Sequence, residues 1–280
     1  MSIAGWFARL GTRCARVSGT FERNRTIVHS SDNDPYNRTQ APGQVSSQGN
    51  TVETLGGVIE TTAPREGFLT GSFVWMFVGV LLSAAAAAFV MATPGFQEQV
   101  ADLYFFLLLG TLGLGIGINA LLTRISPMVA LGLFFVYALI WGLLLGIIVP
   151  IYVGTAGMSG VVSAFLGAAA VFGGAAIYGV VTKRDLTSIR GLLFVGMIGL
   201  IVVMFLQIFF FADSSAASIA IGMFGVALFT GVTAYDVQRL KKGRMPGVSS
   251  ESATVQGALA LYVDFLMLFL MMLRVFGGSR

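Results

Sequence analysis

Two carboxylates, Asp236 and Asp264, stand inside long apolar stretches and away from their ends. Placing either in a bilayer costs a few kcal/mol unless it is neutral, paired or wet, so each marks a functional site by default. If the two meet they cannot both ionise freely: at about 4 Å and an effective dielectric of about 20, the repulsion is about 4 kcal/mol. A close pair therefore shares one proton and titrates as a unit. With one proton it is a hydrogen-bonded latch between two helices. With none it repels, or recruits a hard cation that prefers oxygen ligands, such as calcium. The same two residues thus suit a proton sensor and a calcium site. The alternative is that Asp236 reaches the membrane surface and pairs with Arg239 or Lys242, while Asp264 is simply held protonated.

Other chemistries are excluded by what is missing. Cys14 and His29 are the only residues of their types, and both precede the apolar region. That region therefore has no thiolate or imidazole to bind zinc, and no histidine base for an intramembrane serine protease. An aspartyl protease of the membrane also needs two aspartates, and Tyr235-Asp236 suits its first motif. Its second should read Gly-x-Gly-Asp, whereas Asp264 follows Leu261-Tyr262-Val263, and no Pro-Ala-Leu follows. No enzyme activity and no cofactor is expected, apart from bound or permeant calcium.

The elements that position the acids are transmembrane helices. Apolar stretches fall at residues 68–92, 103–123, 128–149, 155–181, 191–212, 216–242 and 254–276. Each has roughly the 20 residues needed to cross about 30 Å of hydrocarbon at 1.5 Å per residue. The breaks carry helix-ending chemistry: Thr93-Pro94-Gly95, Ser126-Pro127, Pro150, the charged run 182–190, Asp213-Ser214-Ser215, and Gly243 with Pro246-Gly247. Seven spans follow, six being the main alternative. Asp236 lies roughly 10 Å before Gly243, and Asp264 roughly 15 Å into a helix starting at Thr254, so an antiparallel pair joined by a short basic loop brings them to similar depth. Ala253, Gly257 and Ala260 share the Asp264 face and Gly225 the Asp236 face, which permits close approach. Gly110, Gly113, Gly115 and Gly117, with Gly167, Gly173, Gly174 and Gly179, read as further helix-packing positions.

Composition agrees with this solvent. Hydrophobic residues make up 56% of the 280-residue chain and charged ones only 11%, against about a quarter charged in a soluble domain. Residues 1–66 hold seven Arg and six acids, leaving seventeen charges for the other 214 positions. This tail reads as hydrophilic and disordered over 30–65, with an amphipathic start in which Ile3, Trp6, Phe7, Leu10, Cys14 and Val17 recur at helical spacing. Residues 67–280 form the membrane domain. The net charge of +4 accompanies no Lys/Arg block or aromatic platform, so no nucleic acid is implied. It fits membrane orientation instead: with the tail cytoplasmic, 15 of the 17 Lys and Arg fall on the inner side. Arg274 and Arg280 do not, unless the last segment is re-entrant.

Thr233 to Leu240, TAYDVQRL, and Ala258 to Gly277, ALALYVDFLMLFLMMLRVFG, resemble the closing helix pair of the Bax inhibitor family, and Tyr178 to Leu186, YGVVTKRDL, resembles its fourth helix exit. The resemblance covers roughly 68–280. It implies an all-α polytopic fold of six helices wrapped around a central C-terminal helix, and a paired-aspartate latch on Asp236 and Asp264. It also implies a pH-sensitive calcium leak in the bacterial inner membrane, with Arg124 as the gating basic residue that engages the pair. An acid that some relatives carry in the second helix is missing, since 103–123 contain none. The partners implied are lipid, calcium and protons. The competing reading is a non-transporting regulator that binds a membrane protease or a stress-response partner, and this leaves no signature in sequence.

Overall fold

A computed structural model describes residues 66–121, 124–210, 214–243 and 250–277. The expectations for the tail, including its amphipathic start, lie outside the described residues. All regular structure among the described residues is helical: α1 (Glu66–Ala92), α2 (Pro94–Asp102), α3 (Tyr104–Leu121), α4 (Pro127–Val181), a 3-10 turn (Leu186–Ile189), α5 (Arg190–Phe210), α6 (Ser215–Lys241) and α7 (Ser250–Gly277). Six of these are long and apolar enough to cross a membrane.

One of the six crosses twice. The 55 residues of α4 would reach about 80 Å as a single rod, over twice the thickness of a bilayer's hydrocarbon. Its backbone is broken at Gly157, whose φ of 73° and ψ of 169° are not helical. Glycine takes this left-handed φ without a Cβ clash, so it is the natural break point. Residues 127–156 and 158–181 then each have membrane-crossing length, which makes seven crossings. The expected break at Pro150 is not where the chain turns. Proline removes one backbone hydrogen bond, which a transmembrane helix held by its neighbours tolerates, and the helix runs on through it. The expected loop after the first span is also mostly helix. Thr93 is a one-residue hinge, and Pro94 opens α2 at the position where its missing N–H is harmless.

The remaining ends match their sequence signals. Pro127 starts α4, the Ser214 hydroxyl caps α6 by accepting from the Ala217 N–H, and Gly243 leaves α6 with a φ of 60°. Arg124, the loop 182–189 and Gly243 therefore share one end of the bundle, called here the basic end. The α7 helix runs unbroken to Gly277. No re-entrant turn returns Arg274 to the basic end.

The C-terminal helix α7 is the centre of the packing. In its apolar window 56% of residues are buried, against 6% for α5 and 11% for α3. It packs on α1, α6 and both halves of α4. Phe134 and Tyr137 meet the fully buried Tyr262 edge-on, with centroids 5.6 and 6.0 Å apart, while Phe165 and Phe172 meet Phe265 on another face. The Tyr262 hydroxyl lies 2.7 Å from Ser83 Oγ, which donates to the backbone of α1 or α4. Close helix approach is carried by Gly142 against Ser83, Gly146 against Val90, Gly179 against Ala234, and Gly222 and Gly225 against α7. Of the glycines expected to pack, Gly110, Gly113, Gly117, Gly173 and Gly174 face open space instead. Glycine content alone does not say which face meets a neighbour.

Candidate functional site

Loosely packed α3 and α5 leave a cavity of about 1200 Å³ on one side of α7, walled also by the first half of α4 and by α6. Both aspartates line it. Their relation follows from the helix register. Gly222 faces Arg274, Gly225 faces Met271, and Leu240 faces Gly257. An antiparallel pair with those contacts sets Asp236 opposite Ala260, one turn or about 6 Å along the axis from Asp264. The side chain between them is only a methyl group, which leaves the carboxylates free to approach. Gly257 and Gly225 thus take the packing role read from sequence.

Asp264 is 4% exposed, and its Oδ2 has no hydrogen-bond partner among the described residues. The charge that bears on it is that of Asp236. Asp236 is half-buried, and the cations that act on it are Arg239, one turn further along α6, and Arg190, the first residue of α5. Lys242 is not its partner. That ammonium pairs with Asp185 Oδ1 at 2.9 Å and donates to Gln238 Oε1 at 3.1 Å. The Trp141 indole N–H, buried on the α4 wall beside the Tyr137 hydroxyl, lacks a hydrogen bond of good geometry. An acceptor and a donor left over in one cavity are the expected mark of a site that holds water or a polar solute.

The cavity runs along α7 from Gln256 to Arg274, roughly 27 Å, close to the thickness of the hydrocarbon. Each end is crossed by a side-chain hydrogen bond from α7. At the basic end Gln256 Nε2 donates to Asn119 Oδ1 of α3 at 3.2 Å, and at the far end Arg274 Nη1 donates to Gln207 Oε1 of α5 at 2.7 Å. Between them the wall is mostly Leu, Ile and Met. No group of three or more Asp, Glu, His or Cys gathers among the described residues. Two carboxylates fall well short of the six to eight oxygens calcium prefers, so they suit a passing cation rather than a tightly held one.

Arg124 is exposed beyond the end of α3, where its backbone N–H bonds Leu121 O, and it does not line the cavity. Sequence reasoning missed Gln238, Arg190 and the Gln207–Arg274 bond. The sequence offered only a weak signal for Gln238, an uncharged amide two residues after Asp236 in a helix turn otherwise full of cations.

A family model described as inhibitor of apoptosis-promoting Bax1 matches residues 65–280. The chain is 32% identical over 231 residues to the inner membrane protein YbhL of Escherichia coli K12, covering 80% of this chain and 96% of that one. It is 37% identical over 216 residues to an uncharacterized protein of Deinococcus radiodurans, covering 76% and 90%. A Borreliella burgdorferi protein is 34% identical over 223 residues, covering 76% and 92%.

Proposed function

Since the chain belongs to the Bax inhibitor family and is a multipass membrane protein, we propose that it is a pH-regulated cation leak, with calcium the favoured ion. The observation that carries this reading is that Asp236 and Asp264, from adjacent helices, line one cavity of nearly membrane-spanning length. A cavity of that length with acids midway is what a cation path needs, and carboxylate oxygens favour a hard cation. Sharing one proton, the pair latches α6 to α7. Fully ionised, it both separates the helices and offers the cation a site. The proton is therefore the regulator and the cation the cargo.

The leak is placed in a bacterial inner membrane, in keeping with the printed name of the Escherichia coli relative. The tail is assigned to the cytoplasm, because Arg124, the loop 182–189 and the end of α6 gather most of the Lys and Arg of the membrane domain at one end, Arg274 standing at the other. The test is calcium entry into proteoliposomes of the purified protein, followed with a trapped dye. Entry well above that of protein-free vesicles supports a leak. Vesicles tight to calcium at every pH from 5 to 8 would overturn it and leave a non-transporting regulator.

A further inference from the structure

The resemblance assigns Arg124 as the cation that engages the acid pair, yet Arg124 is exposed and off the cavity. A different arginine, Arg190, is also exposed and does not itself line the cavity, but helix register brings it level with the acid. Helices α5 and α6 run antiparallel, with Leu193 against Gly231 and Leu228 against Gly196. One turn further on, that register sets Arg190 level with Ala234, two residues before Asp236. Its charge acts on Asp236, after that of Arg239.

The start of α5 is fixed by the same turn of α6 that carries the acid. Gln238 is 4% exposed, and its Oε1 accepts from the Leu186 N–H at 2.9 Å while its Nε2 donates to Arg184 O at 2.7 Å. Asp185 caps the 3-10 turn by accepting from the Thr187 N–H and hydroxyl, and it pairs with Lys242. Leu186 is buried with Ala175 and Ala234, and Ile189 and Tyr235 pack around them. Only residues 187–189 of the 3-10 turn separate the clasped Leu186 from Arg190, which fixes where the arginine leaves the backbone relative to Asp236.

We propose that Arg190, held by the Gln238 clasp, is a second basic member of the acid-pair site beside Arg239 and helps set the pH at which the pair takes up its shared proton. The other charged groups facing the pair are Arg239 of α6 and, at the far end of α7, Arg274. From α3 and α4 the titratable groups on the cavity are the phenols of Tyr104, Tyr137 and Tyr152. Arg190 is exposed, so solvent screens its effect to a moderate size. The inference deepens the leak reading and rests on it for its consequence, though not for its measurement.

The test titrates the protonated-carboxyl infrared band that vanishes in Asp236→Asn and Asp264→Asn, on full-length protein in lipid nanodiscs. Arg190→Gln moves the midpoint up by roughly half a pH unit, since losing an exposed neighbouring cation makes the proton modestly harder to release. Arg190→Lys restores the wild-type midpoint, and Arg124→Gln leaves it in place. As a second measurement, Arg190→Cys in a Cys14→Ser background is assembled first and then tagged with a cationic or an anionic methanethiosulfonate. The cationic tag gives the lower midpoint. An unmoved midpoint in Arg190→Gln, an equal shift in Arg124→Gln, or no difference between the tags overturns the assignment. If the band behaves as stated in a protein that passes no calcium, the leak reading fails and the assignment of Arg190 stands.

Discussion

Replacing Gln238 with Leu removes both amide partners of the loop 182–189 at nearly constant size. The Leu186 N–H is buried in the clasp, so stranding it costs about 1–3 kcal/mol, and loss of the more open bond to Arg184 O adds about 0.5–1.5. Lys242 keeps its contact to Asp185 at 2.9 Å, and a partly exposed ammonium losing one acceptor adds little. The expected loss is therefore about 2–4 kcal/mol. Gln238→Glu keeps an oxygen for Leu186 but has no N–H for Arg184 O, so it should lose about half as much. The measurement is reversible unfolding of purified protein in dodecylmaltoside titrated with dodecyl sulfate, with Lys242→Ala as a control expected to cost under about 1 kcal/mol. A Leu variant within about 0.5 kcal/mol of wild type, or a Glu variant as damaging as Leu, would refute the clasp.

Gly179→Val drives a side chain into the Ala234 carbonyl and Val237 and should cost about 1–3 kcal/mol by overpacking. Gly174→Val, facing open space seven residues before the end of α4, should be near neutral in the same assay. The Lys242 ammonium, and then Thr187, hold the Asp185 carboxyl well below the usual carboxylate range. A depressed carboxyl stabilises above its unfolded pKa and loses that contribution as pH falls through the folded one. The stability difference between wild type and Asp185→Asn is therefore expected to be constant from neutral pH down to about 4 and to shrink below it. In the proposed orientation, single cysteines at 97 and 214 in a Cys14→Ser background label from outside, and those at 188 and 242 do not. The reverse pattern would invert the topology.

The periodicity of seven apolar stretches was legible because the bilayer imposes one length on every span. The acid pair was legible because an ionisable group in hydrocarbon has few bland explanations. Two features were not. Pro150 carries a stronger local breaking signal than Gly157, but only packing around a transmembrane helix decides which one the chain obeys, and here the glycine takes the left-handed φ. Arg190 and Arg124 both stand at helix ends on the basic side. Choosing between them depends on the α5–α6 register, set by Leu193 on Gly231 and Leu228 on Gly196, and contacts of that kind have no local pattern. Gln238 looked like one polar residue on a surface turn. Its burial follows from where the loop 182–189 folds back, more than fifty residues earlier in the chain.

The most direct measurement is calcium flux into proteoliposomes as a function of pH for wild type, Asp236→Asn and Asp264→Asn side by side. Each substitution keeps a hydrogen-bonding group but removes one titrating carboxyl and the like-charge repulsion. A proton shared by two residues belongs to neither alone. The wild type is predicted to carry calcium with a single titration, and both variants are predicted to lose that same titration and give a flat profile. A wild type that carries no calcium, or a pH profile changed by one substitution and untouched by the other, would contradict the shared-proton latch.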